Sequence, residues 1–154
     1  MNKAIPILMV EDDVVDVKIM KRAFATNKLA HPLFVVSDGE QALFFLKNIG
    51  PYADASRAPR PGLIILDLNL PVMGGLEFLR TVKRDERLRR IPVVVLTSSN
   101  QEADVSASYD LSVAGYMMKR PDFSEFAAAV KVMESYWARC ELPEGPTPAL
   151  GQSR

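Results

Sequence analysis

Apolar residues gather along this chain into five short unbroken runs: Ile7-Leu8-Met9-Val10, Leu33-Phe34-Val35-Val36, Leu63-Ile64-Ile65-Leu66, Val93-Val94-Val95-Leu96 and Tyr116-Met117-Met118. Runs that are continuous rather than alternating suit strands buried on both faces. Their brevity, β-branched content and flanking turn residues favour strand over buried helix. Between them apolar residues return at helical spacing. Val17, Met20, Ala23 and Phe24 share one face of a first helix, with Asp13 as its predicted N-cap. Ala42, Leu43 and Leu46 line a second, where Ser37-Asp38-Gly39 reads as a cap. Leu76, Leu79 and Val82 line a third, opened by Gly74-Gly75. A fourth begins near Ser99-Asn100-Gln101-Glu102, a capping-box spacing. The fifth, from Ser124, carries Phe126, Val130, Met133 and Trp137 inward.

A βα unit repeated five times, with right-handed crossovers, predicts an α/β fold: a doubly wound five-stranded parallel sheet. At 154 residues the chain has room for one domain. Three prolines between Gly50 and Gly62 predict a long loop before the third strand. Residues 143–154, rich in Pro and Gly, predict a tail without an output domain.

Composition removes several function classes. Lys plus Arg and Asp plus Glu both number 19, so no net charge draws the chain to nucleic acid or an anionic membrane. A single cysteine, Cys140, excludes an internal disulfide, and a single histidine, His31, excludes a multi-histidine metal centre. The first apolar run is too short and too close to acids for a signal peptide or membrane span, so a cytoplasmic protein is expected. His31, before Pro32, reads as a surface-loop residue.

In such a sheet, ligands bind beyond the carboxyl ends of the strands. Glu11, Asp12 and Asp13 follow the first strand, Asp67 the third, Thr97 and Ser98 the fourth, and Lys119 the fifth. Glu11, Asp12 and Asp67 would converge and repel, raising one another's pKa. A hard divalent cation such as Mg²⁺ resolves that repulsion through oxygen ligands. A hydroxyl at Thr97 and a point charge at Lys119 suit phosphoryl oxygens. A carboxylate so flanked is set up as a phosphoryl acceptor.

Four segments carry a resemblance: Val10-Glu11-Asp12-Asp13, Leu66-Asp67 through Gly74-Gly75, Pro92 through Ser98, and Gly115-Tyr116-Met117-Met118-Lys119. In order and spacing they resemble the receiver domain of two-component response regulators over residues 5–142. The resemblance implies a flavodoxin-like strand order 2-1-3-4-5 and a phosphoacceptor at Asp67. It implies Mg²⁺ held by Asp12 and Asp67, by Glu11 mainly through water, and by the Asn69 carbonyl. It assigns phosphoryl contacts to Thr97 and Lys119 and a rotamer switch to Tyr116, for which plain core packing is the competing reading. Asn69 and Ser99 would tune phosphate lifetime. Arg120 between Lys119 and Pro121 departs from the usual Lys-Pro and puts the lysine's aim in question.

The Pro-rich loop, Ser108-Tyr109-Asp110-Leu111, and the ending from Met133 to Pro143 are similar to small regulators paired with bacterial phytochrome kinases. A phytochrome-type sensor histidine kinase is the partner this implies. Tyr109 on the fourth helix, with Val132, Tyr136 and Trp137 on the fifth, outline a possible homodimer face. Competing readings are a non-phosphorylated docking module or phosphate sink, a flavodoxin-like carrier and an aspartyl phosphatase. The acidic first loop disfavours a flavin phosphate. Asn at position 69 and the absence of a cap-sized insertion disfavour the phosphatase.

Overall fold

The computed structural model describes residues 4–98, 101–119 and 122–141. Strands β1 (Ile7–Val10), β2 (Leu33–Val36), β3 (Leu63–Leu66), β4 (Val93–Thr97) and β5 (Gly115–Met118) form one parallel sheet in the order β2-β1-β3-β4-β5. Helices α1 (Val14–Thr26), α2 (Gly39–Lys47), α3 (Gly75–Arg84), α4 (Glu102–Asp110) and α5 (Phe123–Arg139) connect and cover it. The expected topology is met.

The unbroken apolar runs have a direct cause. Successive strand residues point to opposite faces, and both faces are covered. Leu8, Val10, Ile64, Leu66, Val93 and Val95 pack with Phe45, Phe78, Leu79 and Val82 of α2 and α3. Ile7, Met9, Leu63, Ile65, Val94 and Leu96 pack with Met20, Phe24, Phe126 and Val130 of α1 and α5. Phe78, fully buried, is the largest inward residue of α3, while the expected Leu76 is only partly buried.

Asp13 caps α1, its carboxylate accepting from the Val15 N–H at 2.8 Å, and Asp38 caps α2 through the Gln41 N–H at 2.8 Å. Ser99 and Asn100 of the expected capping box lie outside the described residues. Helix α4 begins at Glu102 with Gln101 as N-cap and no side-chain capping bond. Helix α5 starts at Phe123, one residue before the expected Ser124, because Asp122 accepts the Glu125 N–H at 3.1 Å. The Pro-rich loop is pinned. It opens with a 3₁₀ turn (Gly50–Tyr52), and the Asn48 amide donates to the Tyr52 and Ala58 carbonyls at 3.1 and 2.9 Å. Asn48 itself ends α2 in the left-handed conformation.

His31 departs from the surface reading. Its side chain is 7% exposed, Nδ1 accepts the Ile5 N–H at 3.0 Å, and Nε2 lies 2.9 Å from Glu134 of α5. Ser99, Arg120, Pro121 and the tail 143–154 lie outside the described residues.

Candidate functional site

Strand register builds the site. Val10 of β1 pairs with Leu66 of β3, so the next residues, Glu11 and Asp67, leave the sheet side by side. The Asp67 N–H donates to the Val10 carbonyl at 3.1 Å, and the Glu11 N–H to Val36 at 3.0 Å, holding both backbones in the ladder. Beyond β5, the Lys119 N–H donates to the Thr97 carbonyl at 2.9 Å, which ties the ends of β4 and β5. Gly75, first residue of α3, lies against the loop that leaves β3. A Cβ there would sit 2.5 Å from the Asp67 carbonyl oxygen, so helix and loop can meet this closely only without a side chain.

Glu11, Asp12 and Asp67 offer carboxylate oxygens that all lie within 4.8 Å of one another. Glu11 and Asp67 are buried and Asp12 is exposed. Lys119 reaches into this group. Its Nζ lies 2.7 Å from Glu11 Oε1, 3.1 Å from Asp67 Oδ2 and 2.7 Å from Asp16 Oδ2. Asp16, on the first turn of α1, did not emerge from the sequence, where a first-turn acid reads as a helix-end charge.

Burial pushes Glu11 up to about 7; Asp67 adds to the rise and Lys119 opposes it. Burial also acts to raise Asp67, but Glu11, the Asn69 N–H and Lys119 outweigh it, and its carboxyl is held below the usual range. The proton of this acidic pair therefore resides on Glu11. Burial acts to lower Lys119, but the hydrogen bond to Asp16, the close Glu11 carboxyl and the charge of Asp67 hold it above the usual lysine range, as a fixed cation.

The donor set fits a hard divalent cation. Three carboxylates converge, and the buried Glu11 Oε1 has no aligned hydrogen-bond donor although the Lys119 ammonium is close. An oxygen ligand with an unused lone pair beside two other carboxylates is what such an ion requires.

The other expected residues fall around this centre. The exposed Asn69 donates its N–H to Asp67 Oδ1 at 3.1 Å. Thr97 ends β4 fully buried. Tyr116, paired with Val95, is partly buried against the core beneath α2 and α3. Of the proposed dimer residues, Tyr109, Val132 and Tyr136 are exposed, whereas Trp137 packs, partly buried, against the core beneath α1 and α5. Among the described residues, no helix is long and apolar enough to cross a membrane.

Comparison with known proteins follows the same lines. The family model for the response regulator receiver domain matches residues 7–131. Response regulator Rcp1 of Synechocystis sp. is 42% identical over 131 residues, 85% of this chain and 87% of its own length. The phosphorylated cyanobacterial phytochrome response regulator RcpA superimposes with a TM-score of 0.84 at 40% identity, covering 92% of this chain and all of the other. The Mn²⁺-bound form of Rcp1 gives 0.81 at 40% identity, covering 91% and 99%.

Proposed function

The chain belongs to the response regulator receiver domain family, and on that footing we propose that Asp67 takes a phosphoryl group from a sensor histidine kinase. The observation that carries this reading is the junction of Glu11, Asp12, Asp67 and Lys119 at the ends of three strands. An Asp67 carboxylate oxygen attacks phosphorus, the phosphorus–nitrogen bond of the phosphohistidine breaks, and the departing ring nitrogen keeps the electron pair. Asp67 becomes a mixed anhydride. Glu11, Asp12, Asp67 and the Asn69 carbonyl would hold Mg²⁺, which, when bound, offsets charge on the phosphoryl oxygens.

Lys119 balances the remaining oxygen charge from the β5 side. Thr97 turns its hydroxyl toward the new phosphoryl group, and Tyr116 follows, changing the α4–β5–α5 face. Asn69 and Ser99 set how readily water reaches the anhydride. Rcp1 and RcpA support a phytochrome-type kinase as the phosphate source. The working unit is the domain 5–142 in the cytoplasm, with no chemistry beyond slow self-phosphorylation and dephosphorylation. The exposed Tyr109, Val132 and Tyr136 support a homodimer.

Intact-mass measurement with acetyl phosphate tests the assignment. Mg²⁺-dependent gain of one phosphoryl group is expected in the native chain and absent in Asp67→Asn; stoichiometric labelling of that variant refutes it. Sedimentation across a concentration series, with Tyr136→Asp as the disrupted control, tests the dimer.

A further inference from the structure

Lys119 is held by three carboxylates, and the third is outside the metal cluster. Its ammonium directs aligned hydrogen bonds to Asp16 Oδ2 at 2.7 Å and to Asp67 Oδ2 at 3.1 Å. Asp16 comes from α1, 103 residues away in sequence.

Asp16 is not spent on the helix end. The Asp13 carboxylate already accepts from the Val15 and Asp16 N–H groups at 2.8 and 3.4 Å. The side chain of Asp16 is 27% exposed, yet it turns to the lysine rather than to solvent.

Packing alone does not aim the lysine. Its backbone is fixed by the bond to the Thr97 carbonyl. Its stem, however, borders a cavity of about 30 Å³ lined by Met9, Ile19, Leu96 and Phe126. That is room for about one water beside a flexible four-carbon chain. The position of Nζ is therefore set by the groups that bind it.

Two of those groups have other work. Once Glu11 and Asp67 engage a cation or a phosphoryl group, their hold on the ammonium weakens. Asp16 does not belong to the acidic trio and keeps its hold.

We propose that Asp16 is a positioning residue, which anchors the Lys119 ammonium from the α1 side and keeps it aimed at Asp67 during phosphoryl transfer. The proposal rests on Asp67 being the phosphoacceptor, and two independent readouts separate the ideas. The first is the labelling rate with acetyl phosphate in the full chain. Asp16→Ala slows labelling about fivefold at saturating donor, with the half-saturating concentration little changed, and Asp16→Asn, which keeps an oxygen acceptor, slows it less. In a Lys119→Ala background the Asp16 change has no further effect, because Asp16 acts through the lysine. Wild-type labelling by Asp16→Ala, or an equal loss with and without Lys119, overturns the proposal.

The second readout is the Lys119 ammonium signal in ¹⁵N–¹H NMR, assigned by its loss in Lys119→Arg. Slow proton exchange in the native chain and fast exchange in Asp16→Ala are expected; an unchanged signal in Asp16→Ala overturns the pairing. Failure of the native chain to label at all refutes the phosphoacceptor reading, while the NMR result still judges the Asp16–Lys119 pair.

Discussion

His31 Nε2 and Glu134 Oε1 stand 2.9 Å apart, joining the turn into β2 to α5 across 103 residues of chain. Because Nδ1 accepts the Ile5 N–H, a neutral ring carries its proton on Nε2 and donates it to Glu134. Removing either partner leaves a nearly buried polar group without its mate. His31→Ala and Glu134→Ala are each expected to lower stability by about 1–2 kcal/mol in urea unfolding. The pair lies at the amino end of β1 and β2, away from Asp67, so labelling rates should not change. An unfolding midpoint equal to that of the native chain in both variants contradicts this.

The folded chain and the unfolded chain hold the Glu11 proton differently. Glu11 is pushed from 4.5 to about 7, first by burial. Between those pH values the folded state binds a proton the unfolded state has released, so this contribution to stability falls as pH rises through the window. Relative to Glu11→Gln, the metal-free native chain should lose stability from pH 5 to pH 7.5. Mg²⁺ requires the ionised carboxylates, so its affinity should rise over the same interval, by at most about tenfold per pH unit for one released proton. Calorimetric titrations with equal affinities at pH 6 and pH 8 refute this coupling.

Gly75 and Gly74 make a paired experiment. A Cβ on Gly75 meets the Asp67 carbonyl oxygen at 2.5 Å and Leu68 Cα at 2.6 Å, while one on Gly74 meets nothing within 4 Å. Gly75→Ala should cost roughly 1–3 kcal/mol through forced backbone movement and slow labelling of Asp67, because the displaced backbone carries that residue. Gly74→Ala should slow labelling far less. Equal labelling rates in the two variants disprove the close-approach explanation.

Val72 holds a left-handed conformation, φ 62°, and is 79% exposed. A β-branched residue is costly there, and little burial offsets the cost. Val72→Gly should raise stability by roughly 0.5–1 kcal/mol, the relief of strain exceeding the extra freedom glycine gives the unfolded chain. A lower urea midpoint in this variant counts against strain at this position.

Much of this fold was legible because its signals are local. Runs such as Leu63-Ile64-Ile65-Leu66 are apolar throughout since both sheet faces are covered, and the polar residue after each run marks a strand's carboxyl end. Parallel pairing then gathers those ends, which is why Glu11, Asp12, Asp67 and Lys119 could be named together. Asp16 and His31 were not legible in the same way. Each is defined by a partner 103 residues distant, Lys119 and Glu134 respectively, and the local sequence offers an equally good ordinary reading. The start of α4 was legible to within a few residues, since the helix begins at Glu102 inside the segment Ser99-Asn100-Gln101-Glu102. Trp137 was ambiguous because two apolar lines run side by side along α5, and only packing against α1 and the sheet separates them.

The lysine at the strand ends also bears on how the domain meets ions in solution. With Lys119 seated among Glu11, Asp16 and Asp67, the crevice already contains a counter-ion supplied by its own chain. One ammonium does not neutralise these acids, and with Asp12 beside them the crevice stays net negative although the charge of the whole protein is zero. Occupancy by a divalent ion then displaces the Glu11 proton and loosens the Glu11–Lys119 contact, so the ion enters a crevice that already holds one cation. Long-range attraction draws cations to the crevice, and selection between them falls to geometry and ligand chemistry at close range.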